Sequence, residues 1–339
     1  SSVNCIIQDH YGYIWFGTQG GLNKYDGYNF TVHKSIPFDT TSLCNNSVWA
    51  LYDDAEEHVL WIGTYGGLSV LNYNTGIFNS FQNNSSDSSS LSSNFIKEIF
   101  RDSYGNLWIG TKNGLNLYQH DSKTFLRFFH DPDNPKSICG NYIRKIFHDH
   151  LENLWIGTNE NSISIISDED LKKRNFVFSK KEEWNFLPGF SSNIRDIIQT
   201  INEDVLIATH GSGLVLYNYA KDTLLNIRNI GGQKKIASNY ILSLYEDQSG
   251  KIWMGTIKGL SVYDAGTNSA FYIRNNLDDP NSLSNNFIWD IYQDRSGIIW
   301  IGTNGGGVNK HDPYKTFVHY RIANQALDNN SKNFVRTLH

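Results

Sequence analysis

Few residues in this sequence have the types and spacing of a reactive or metal-binding site. The segment His148–His150 has a histidine on each side of Asp149, a pattern that could chelate a metal ion, but no third ligand is evident. The paired acids Glu56–Glu57 and the basic run Lys172–Arg174 fall in turns, where charges are usually solvated. The chain also lacks a Gly-x-Ser-x-Gly nucleophile turn and a phosphate-binding loop. We therefore expect no catalytic residue, no bound metal and no cofactor.

Composition narrows the class of protein further. The 339 residues are 39% hydrophobic and 14% aromatic, which is enough for a sizeable core, and the net charge is −5. A general nucleic-acid binder would carry a basic excess, and no apolar run is long enough to span a membrane. The three cysteines, Cys5, Cys44 and Cys139, do not form a disulfide framework. Without an initiator Met or a signal peptide, the sequence is expected to be a mature or excised piece.

The dominant feature is an internal repeat that must position any site. The string Trp-apolar-Gly-Thr occurs six times at near-equal spacing, with a degenerate seventh copy, Leu206–Thr209. An apolar run and a turn precede each copy, and alternating segments follow it, which indicates four short strands per repeat. This pattern predicts an all-β fold, a seven-bladed β-propeller over residues 1–320 with four antiparallel strands per blade. We expect the six tryptophans to be buried between blades: Trp15, Trp61, Trp108, Trp155, Trp253 and Trp300.

The repeat resembles that of a known family. The pattern Ile-Trp-Ile-Gly-Thr-x-x-Gly-Leu-x-x-Tyr-Asp is nearly complete at Ile14–Asp26 and Ile252–Asp264, and it resembles the two-component regulator propeller repeat. The resemblance implies the periplasmic sensor region of an inner-membrane hybrid two-component system of Bacteroidetes. It also implies an oligosaccharide ligand, and a parent chain with a histidine kinase, a second propeller and an immunoglobulin-like domain. The full receptor could form a homodimer, whereas this chain itself would contact neither nucleic acid nor membrane.

The end of the chain is expected to lie outside the ring. The segment Asn333–His339 repeats the first strand of a blade, as a comparison with Asn286–Tyr292 shows. We therefore predict that residues 321–339 are a linker and the first strand of a following repeat.

A binding site is expected on the face that carries the long, variable loops, because recognition residues concentrate in such loops on rigid scaffolds. One position near the start of each first strand varies in chemistry while its neighbours stay apolar. Round the ring it holds Asn4, Trp49, Lys97, Arg144, Arg195, Leu242 and Trp289.

These residue types indicate the ligand. Lys97, Arg144 and Arg195 form a basic arc suited to carboxylate or sulfate groups. Trp49 and Trp289 offer flat apolar faces for sugar rings. Together they predict an oligosaccharide, with an anionic one favoured, and Tyr65, Lys112 and His210 in nearby loops are further candidates.

Other interpretations remain open at this stage. The bulky and charged side chains could instead pack between blades or pair with acids such as Glu98 and Asp196. The propeller could be a streptogramin-lyase-like enzyme, which needs a metal and a histidine base, and only His210 is placed for that role. It could also be a purely structural spacer in a longer receptor. The loop Lys180–Ser192, with Trp184 and Phe186, could contact ligand or pack as a plug.

Overall fold

The computed structural model describes residues 1–159, 163–180, 193–227, 236–264, 267, 269–312 and 318–320. These residues form seven four-stranded antiparallel sheets, each with its strands in sequence order. The first strand of every blade contacts the first strands of both neighbouring blades, and blade 7 closes the ring against blade 1. The predicted seven-bladed β-propeller is therefore confirmed.

Each blade comprises one copy of the repeat. Blades 1 to 3 have the strands Val3–Gln8, Ile14–Thr18, Gly21–Tyr25 and Phe30–His33; Val48–Asp54, Val59–Thr64, Leu68–Asn72 and Phe78–Phe81; and Ile96–Arg101, Leu107–Thr111, Gly114–Gln119 and Thr124–Phe128. Blades 4 and 5 have Ile143–His148, Leu154–Thr158, Ile163–Ile166 and Ser179–Lys180; and Ile194–Gln199, Val205–Thr209, Leu214–Asn218 and Thr223–Ile227. Blades 6 and 7 have Ile241–Glu246, Lys251–Thr256, Gly259–Asp264 and Ser269–Ile273; and Ile288–Gln293, Ile299–Thr303, Val308–His311 and Val318–Tyr320.

The sequence patterns did not predict the one helix that the described residues contain, a short helix at Asp168–Lys172 between the third and fourth strands of blade 4. Ser167 caps its first turn by accepting a hydrogen bond from the backbone of Asp170, and the first turn is acidic, which favours a helix N-terminus. At five residues it is too short to show a 3.6-residue period. The basic run predicted as a turn therefore begins at the end of this helix.

The repeated tryptophans hold adjacent blades together. Trp108 of blade 3 is fully buried against Ile143 and Ile146 of blade 4. Its indole Nε1 donates a hydrogen bond of 2.9 Å to Oδ2 of Asp102, six residues earlier in the turn that precedes the strand. The same bond joins Trp and Asp in blades 1, 4, 6 and 7. In blade 2 the Nε1 atom of buried Trp61 has no partner among the described residues.

The glycine of the repeat leaves room for the next blade. A Cβ atom on Gly110 would lie 2.7 Å from Cγ2 of Ile143, the first residue of the neighbouring first strand. Blade 5 has the opposite arrangement, since Leu206 is smaller than Trp and Ala208 is larger than Gly. Both side chains are buried, and they share a core cluster with Ile241 of blade 6. The paired change therefore preserves the packing between blades.

The asparagine that precedes the first strand is a structural residue in the blades where its contact is described. Asn46, for example, accepts a hydrogen bond of 2.8 Å from the backbone N–H of Ser35 through Oδ1. Asn94, Asn141 and Asn286 make the equivalent bond. In these four blades the contact fixes the loop that enters the blade.

A β-bulge near the start of every first strand positions the candidate site. In blade 4, Ile143 pairs with Thr158 and Lys145 pairs with Gly157, so Arg144 has no partner in the ladder. The register shifts at the same place in all seven blades. A bulge releases one residue from cross-strand pairing and redirects its side chain. The bulge residues are Asn4, Trp49, Lys97, Arg144, Arg195, Leu242 and Trp289.

Candidate functional site

The seven bulge residues line one cavity of about 340 Å³ in the central channel. We call them the bulge ring. The next residue of each first strand also lines this cavity and forms a deeper inner ring. The inner ring consists of Cys5, Ala50, Glu98, Lys145, Asp196, Ser243 and Asp290. The seven residues whose varied chemistry was noted in the sequence therefore form one continuous surface. Their side chains can vary because a bulge residue has no cross-strand partner.

One side of the bulge ring is an aromatic wall. Trp49 and Trp289 belong to blades 2 and 7, yet their ring centroids are 5.6 Å apart in an edge-to-face contact. They meet because blade 1, between them, contributes only the smaller Asn4. Phe95 lies 5.8 Å from Trp49, and Phe287 lies 4.8 Å from Trp289. This arrangement presents half-buried aromatic surface to the channel.

The other side of the bulge ring is basic. Nζ of Lys97 lies 3.9 Å from the ring centroid of Trp49. The guanidinium of Arg144 stacks 3.9 Å from Tyr142 and donates through Nε and Nη2 to the neutral amide oxygen of Asn159, at 3.1 and 3.0 Å. Nε of Arg195 is buried without a hydrogen-bond partner in the described part of the chain.

The acids nearest to this basic arc are engaged elsewhere. Nζ of Lys145 lies 3.5 Å from Oε1 of Glu98 and 3.2 Å from Oδ1 of Asp196. The other oxygen of Asp196 accepts a bond of 2.8 Å from the backbone N–H of Leu244 in the next blade. Asp290 likewise accepts a bond of 2.7 Å from Ile6 across the closure of the ring. Pairing of the arc with Glu98 and Asp196, considered as an alternative, is therefore not what the structure shows.

Burial and neighbouring charges shift the pKa values of several residues in the bulge ring and the inner ring. Burial, reinforced by Arg144 and Arg195, lowers the pKa of Lys97 to about 7. Burial and then the charge of Arg144 lower the pKa of Arg195 to about 10. In the inner ring, burial and then the nearby Asp196 raise the pKa of Asp290 to about 7. The bulge ring is thus crowded with positive charge that no carboxylate neutralises within ion-pair distance among the described residues.

These shifts predict a dip in stability near neutral pH. The folded pKa of Asp290 lies above its ordinary value of about 3.9, so its contribution is greatest at acid pH and is lost as pH rises through about 7. The folded pKa of Lys97 lies below its ordinary value of about 10.4, so its contribution to the free energy of unfolding increases with pH above about 7.

Urea unfolding of wild type, Asp290→Asn and Lys97→Leu from pH 5 to 9 checks this expectation. The difference in the free energy of unfolding between wild type and Asp290→Asn should change with pH mainly below pH 7. The corresponding difference between wild type and Lys97→Leu should change mainly above pH 7. Differences that stay constant across the range would contradict the prediction.

The loop candidates Tyr65, Lys112 and His210 all follow the Thr that ends the repeat motif, which is degenerate before His210. The backbone N–H of each donates to the carbonyl of the residue two places before a bulge residue, at 2.9–3.0 Å. Tyr65 and Lys112 are exposed, and His210 is half-buried, with its ring 4.7 Å from Tyr240. These three residues therefore lie beside the bulge ring, at a rim whose residues do not themselves line the cavity.

Sequence reasoning missed four aromatic rim residues. Phe95, Tyr142, Tyr240 and Phe287 lie two places before the bulge residue in their blades. Tyr65 is 4.6 Å from Phe95, and Phe95 is 6.2 Å from Tyr142, so aromatic surface continues from the wall to the basic arc. The signal in the sequence was an aromatic residue at this position in four of the seven repeats.

The remaining candidates do not join this site. His148 pairs with Glu152, and His150 contacts Gln199. Within the described ranges, no three His, Cys, Asp or Glu side chains form a group that could hold a metal ion. Trp184, Phe186 and residues 321–339 lie outside the described residues, so the predictions made for them stay predictions. No helix in the described part of the chain is long and apolar enough to cross a membrane.

Known proteins with similar repeats and a similar fold indicate the family of this chain. The family described as the two component regulator propeller matches residues 1–20, 42–66, 90–113, 235–258 and 282–305. The extracellular domain of a hybrid two component system from B. thetaiotaomicron is similar, with 29% identity and a TM-score of 0.75 over 91% of this chain and 39% of that chain.

Two further comparisons are more restricted. A 43-residue stretch, 13% of this chain, is 49% identical to 3% of histidine kinase P4 of Formosa agariphila. A streptogramin B lyase matches 91% of this chain and 93% of its own, with a TM-score of 0.66 but only 13% identity, which is a likeness of fold alone. The chain thus spans well under half of the two-component proteins that it resembles.

Proposed function

Because five segments of the chain match the two component regulator propeller family and the chain is similar to the extracellular domain of a hybrid two component system, we propose that it senses an acidic oligosaccharide at the bulge ring. The ligand would bind in the cavity of the central channel, on the face with the variable loops. The propeller itself would not convert the ligand into a released product, and its role would be to change the state of modules elsewhere in a longer receptor.

The observation that carries this proposal is a set of unpaired polar atoms in one cavity. Oδ1 of Asn4, Nε1 of Trp289 and Nε of Arg195 are buried without hydrogen-bond partners among the described residues. A buried donor or acceptor left unpaired costs about 1–3 kcal/mol, so a ligand that supplies the missing partners gains that much from each. Sugar hydroxyls both donate and accept hydrogen bonds, which suits two unpaired donors and one unpaired acceptor.

The charges and aromatic rings narrow the ligand class. A carboxylate or sulfate would neutralise the basic arc, and a guanidinium can bind either group through two parallel hydrogen bonds. The indoles of Trp49 and Trp289 offer flat apolar surface to the less polar face of a sugar ring. An acidic oligosaccharide combines all three properties, whereas a neutral one would leave the arc uncompensated.

The proposal extends to the parent protein. The similarity to extracellular domains of two-component systems supports a periplasmic location for this chain. The short match to a histidine kinase supports a kinase module in the same parent, where further propeller and immunoglobulin-like domains and a homodimeric receptor are also proposed. Binding at the bulge ring would then be the input to that kinase.

Titration calorimetry with size-matched acidic and neutral oligosaccharides tests the proposed ligand class. We expect wild type to prefer the acidic member, and Arg195→Ala to lose about 10-fold or more in affinity, since a charge-assisted hydrogen bond contributes about 1.5–3 kcal/mol. Trp289→Ala should weaken binding of both members of a pair.

Lys123→Ala is the matched control, because it removes one positive charge from an exposed turn of blade 3 and should leave the affinity unchanged. If Arg195→Ala and Trp289→Ala bind a confirmed acidic ligand as tightly as wild type does, the ligand does not occupy the bulge ring. If no acidic oligosaccharide binds, the proposed ligand class is wrong.

A further inference from the structure

Two lysines line the cavity in opposite electrostatic settings. Lys145 lies between the carboxylates of Glu98 and Asp196, and the attraction to these acids keeps its pKa above the ordinary value despite burial. Lys97 has no ion pair or hydrogen bond in the described part of the chain, and its charged neighbours in the bulge ring are guanidinium groups. Cys5 and Glu98 of the inner ring act in the opposite direction and favour its charged form, but burial and Arg144 outweigh them and lower its pKa. One amine is therefore held protonated, whereas the other is poised to lose its proton.

The surroundings of Lys97 keep this amine within the cavity. Nζ lies 3.9 Å from the centroid of the Trp49 ring and 5.9 Å from that of Trp289. The indole faces favour the ammonium form, but burial and two positive neighbours act against it and bring the pKa to about 7. An amine with such a pKa has its nucleophilic lone pair available in a large fraction of molecules at neutral pH.

We propose that Lys97 is a nucleophile that captures the carbonyl group of an anionic aldehyde or ketone, such as the open-chain reducing end of an acidic sugar. The lone pair of Nζ attacks the carbonyl carbon and forms a C–N bond, and the C–O bond then breaks. The carbonyl oxygen leaves as water with the two hydrogens of the neutral amine, which yields an imine. The step is redox-neutral and reversible, and it needs no co-reactant.

The neighbouring residues define which carbonyl compounds fit. Arg144 and Arg195, on the two following blades, would bind the anionic group of the same molecule, and the wall formed by Trp49 and Trp289 would shield the imine from water. The inference rests on the proposed ligand site, and it adds that the sugar binds with its reducing end towards Lys97.

Pyridoxal 5′-phosphate, which carries both an aldehyde and an anionic group, is a suitable probe. The protein is incubated with it at pH 7 in the presence of cyanoborohydride, which reduces an imine to a stable amine, and the modified lysines are identified by peptide mass spectrometry. We expect Lys97 to be modified at least about 10-fold faster than the exposed Lys123 and Lys221, because an ordinary lysine with a pKa of about 10.4 is almost fully protonated there.

Two comparisons test the roles of charge. 5′-Deoxypyridoxal, which lacks the phosphate and, unlike pyridoxal, cannot close to a hemiacetal, should modify Lys97 more slowly than the phosphorylated probe, and Arg195→Ala should remove most of that difference. The rate at Lys97 should reach half its maximum near pH 7, and Lys145 should stay unmodified. Lys97→Met, which keeps an unbranched side chain of similar bulk but has no amine, should abolish the fast modification.

Modification of Lys97 at the rate of the exposed lysines would overturn the inference. Acidic oligosaccharides whose reducing ends have been converted to alditols separate this failure from failure of the proposed function. If the alditols bind at the bulge ring but Lys97 is unreactive, only the covalent step is wrong. If Lys97 reacts with the probe but no acidic oligosaccharide binds, the proposed oligosaccharide ligand is wrong and the amine captures another anionic carbonyl compound.

Discussion

Replacement of Trp108 by Ala is expected to lower the free energy of unfolding by about 3–5 kcal/mol, the range measured for large buried aromatic side chains. Trp108 is fully buried between blades 3 and 4, where it packs on Ile143 and Ile146. The substitution leaves a cavity between two blades and also removes a donor from Asp102. Urea and thermal unfolding of the purified chain, followed by circular dichroism, measure the loss.

Two other tryptophans are matched controls. Trp61 occupies the same position in blade 2 and is equally buried, but its Nε1 has no described partner, so Trp61→Ala should cost about 1 kcal/mol less than Trp108→Ala. Trp49 is half-buried in the channel and lies outside the packing between adjacent sheets, so Trp49→Ala should cost the least. Equal losses for Trp49 and Trp108 would contradict the assignment of the repeated tryptophans to the core.

The fold was predictable because the residues that build it recur. Packing between blades selects the same Trp and Gly in repeat after repeat, and a loop hydrogen bond selects the same Asn, so their periodicity is visible in a single sequence. Blade 5 shows how far this extends, since Leu206 and Ala208 change together and the packing is kept. The short helix at Asp168–Lys172 was not predictable in this way, because it occurs in one blade only.

The candidate site was predictable in position but not in its contacts. A bulge removes Arg144 and its six equivalents from the ladder, and the resulting variety of side chains marked them in the sequence. Which acid pairs with which base depends on distances between blades. Glu98 and Asp196 follow Lys97 and Arg195 directly in the sequence, yet both face Lys145 in the ring. Contacts of this kind cannot be inferred from spacing along one chain.

Replacement of both Arg144 and Arg195 by Leu should abolish binding of an acidic oligosaccharide and, at the same time, stabilise the ligand-free propeller. Loss of two charge-assisted contacts, each worth about 1.5–3 kcal/mol, predicts at least about 100-fold weaker binding. The free energy of unfolding should rise by about 1–2 kcal/mol, because the substitution removes two adjacent, partly buried positive charges without carboxylate partners. Calorimetry and urea unfolding of the same preparations measure the two effects.

The direction of the stability change separates a ligand-binding role from a structural one. Blade 6 already has Leu242 at the equivalent position, where it is buried in the channel, so leucine is compatible with the bulge. If the arginines served to hold blades together, the double variant would be less stable than wild type, and this outcome would contradict the proposal. Lys145→Leu is the matched comparison: it leaves Glu98 and Asp196 without their common partner, and it should destabilise the propeller. A stability gain for the double variant and a stability loss for Lys145→Leu would mean that Lys145 of the inner ring supports the fold. The arginines of the bulge ring would then retain their charge for a ligand, at a cost in stability.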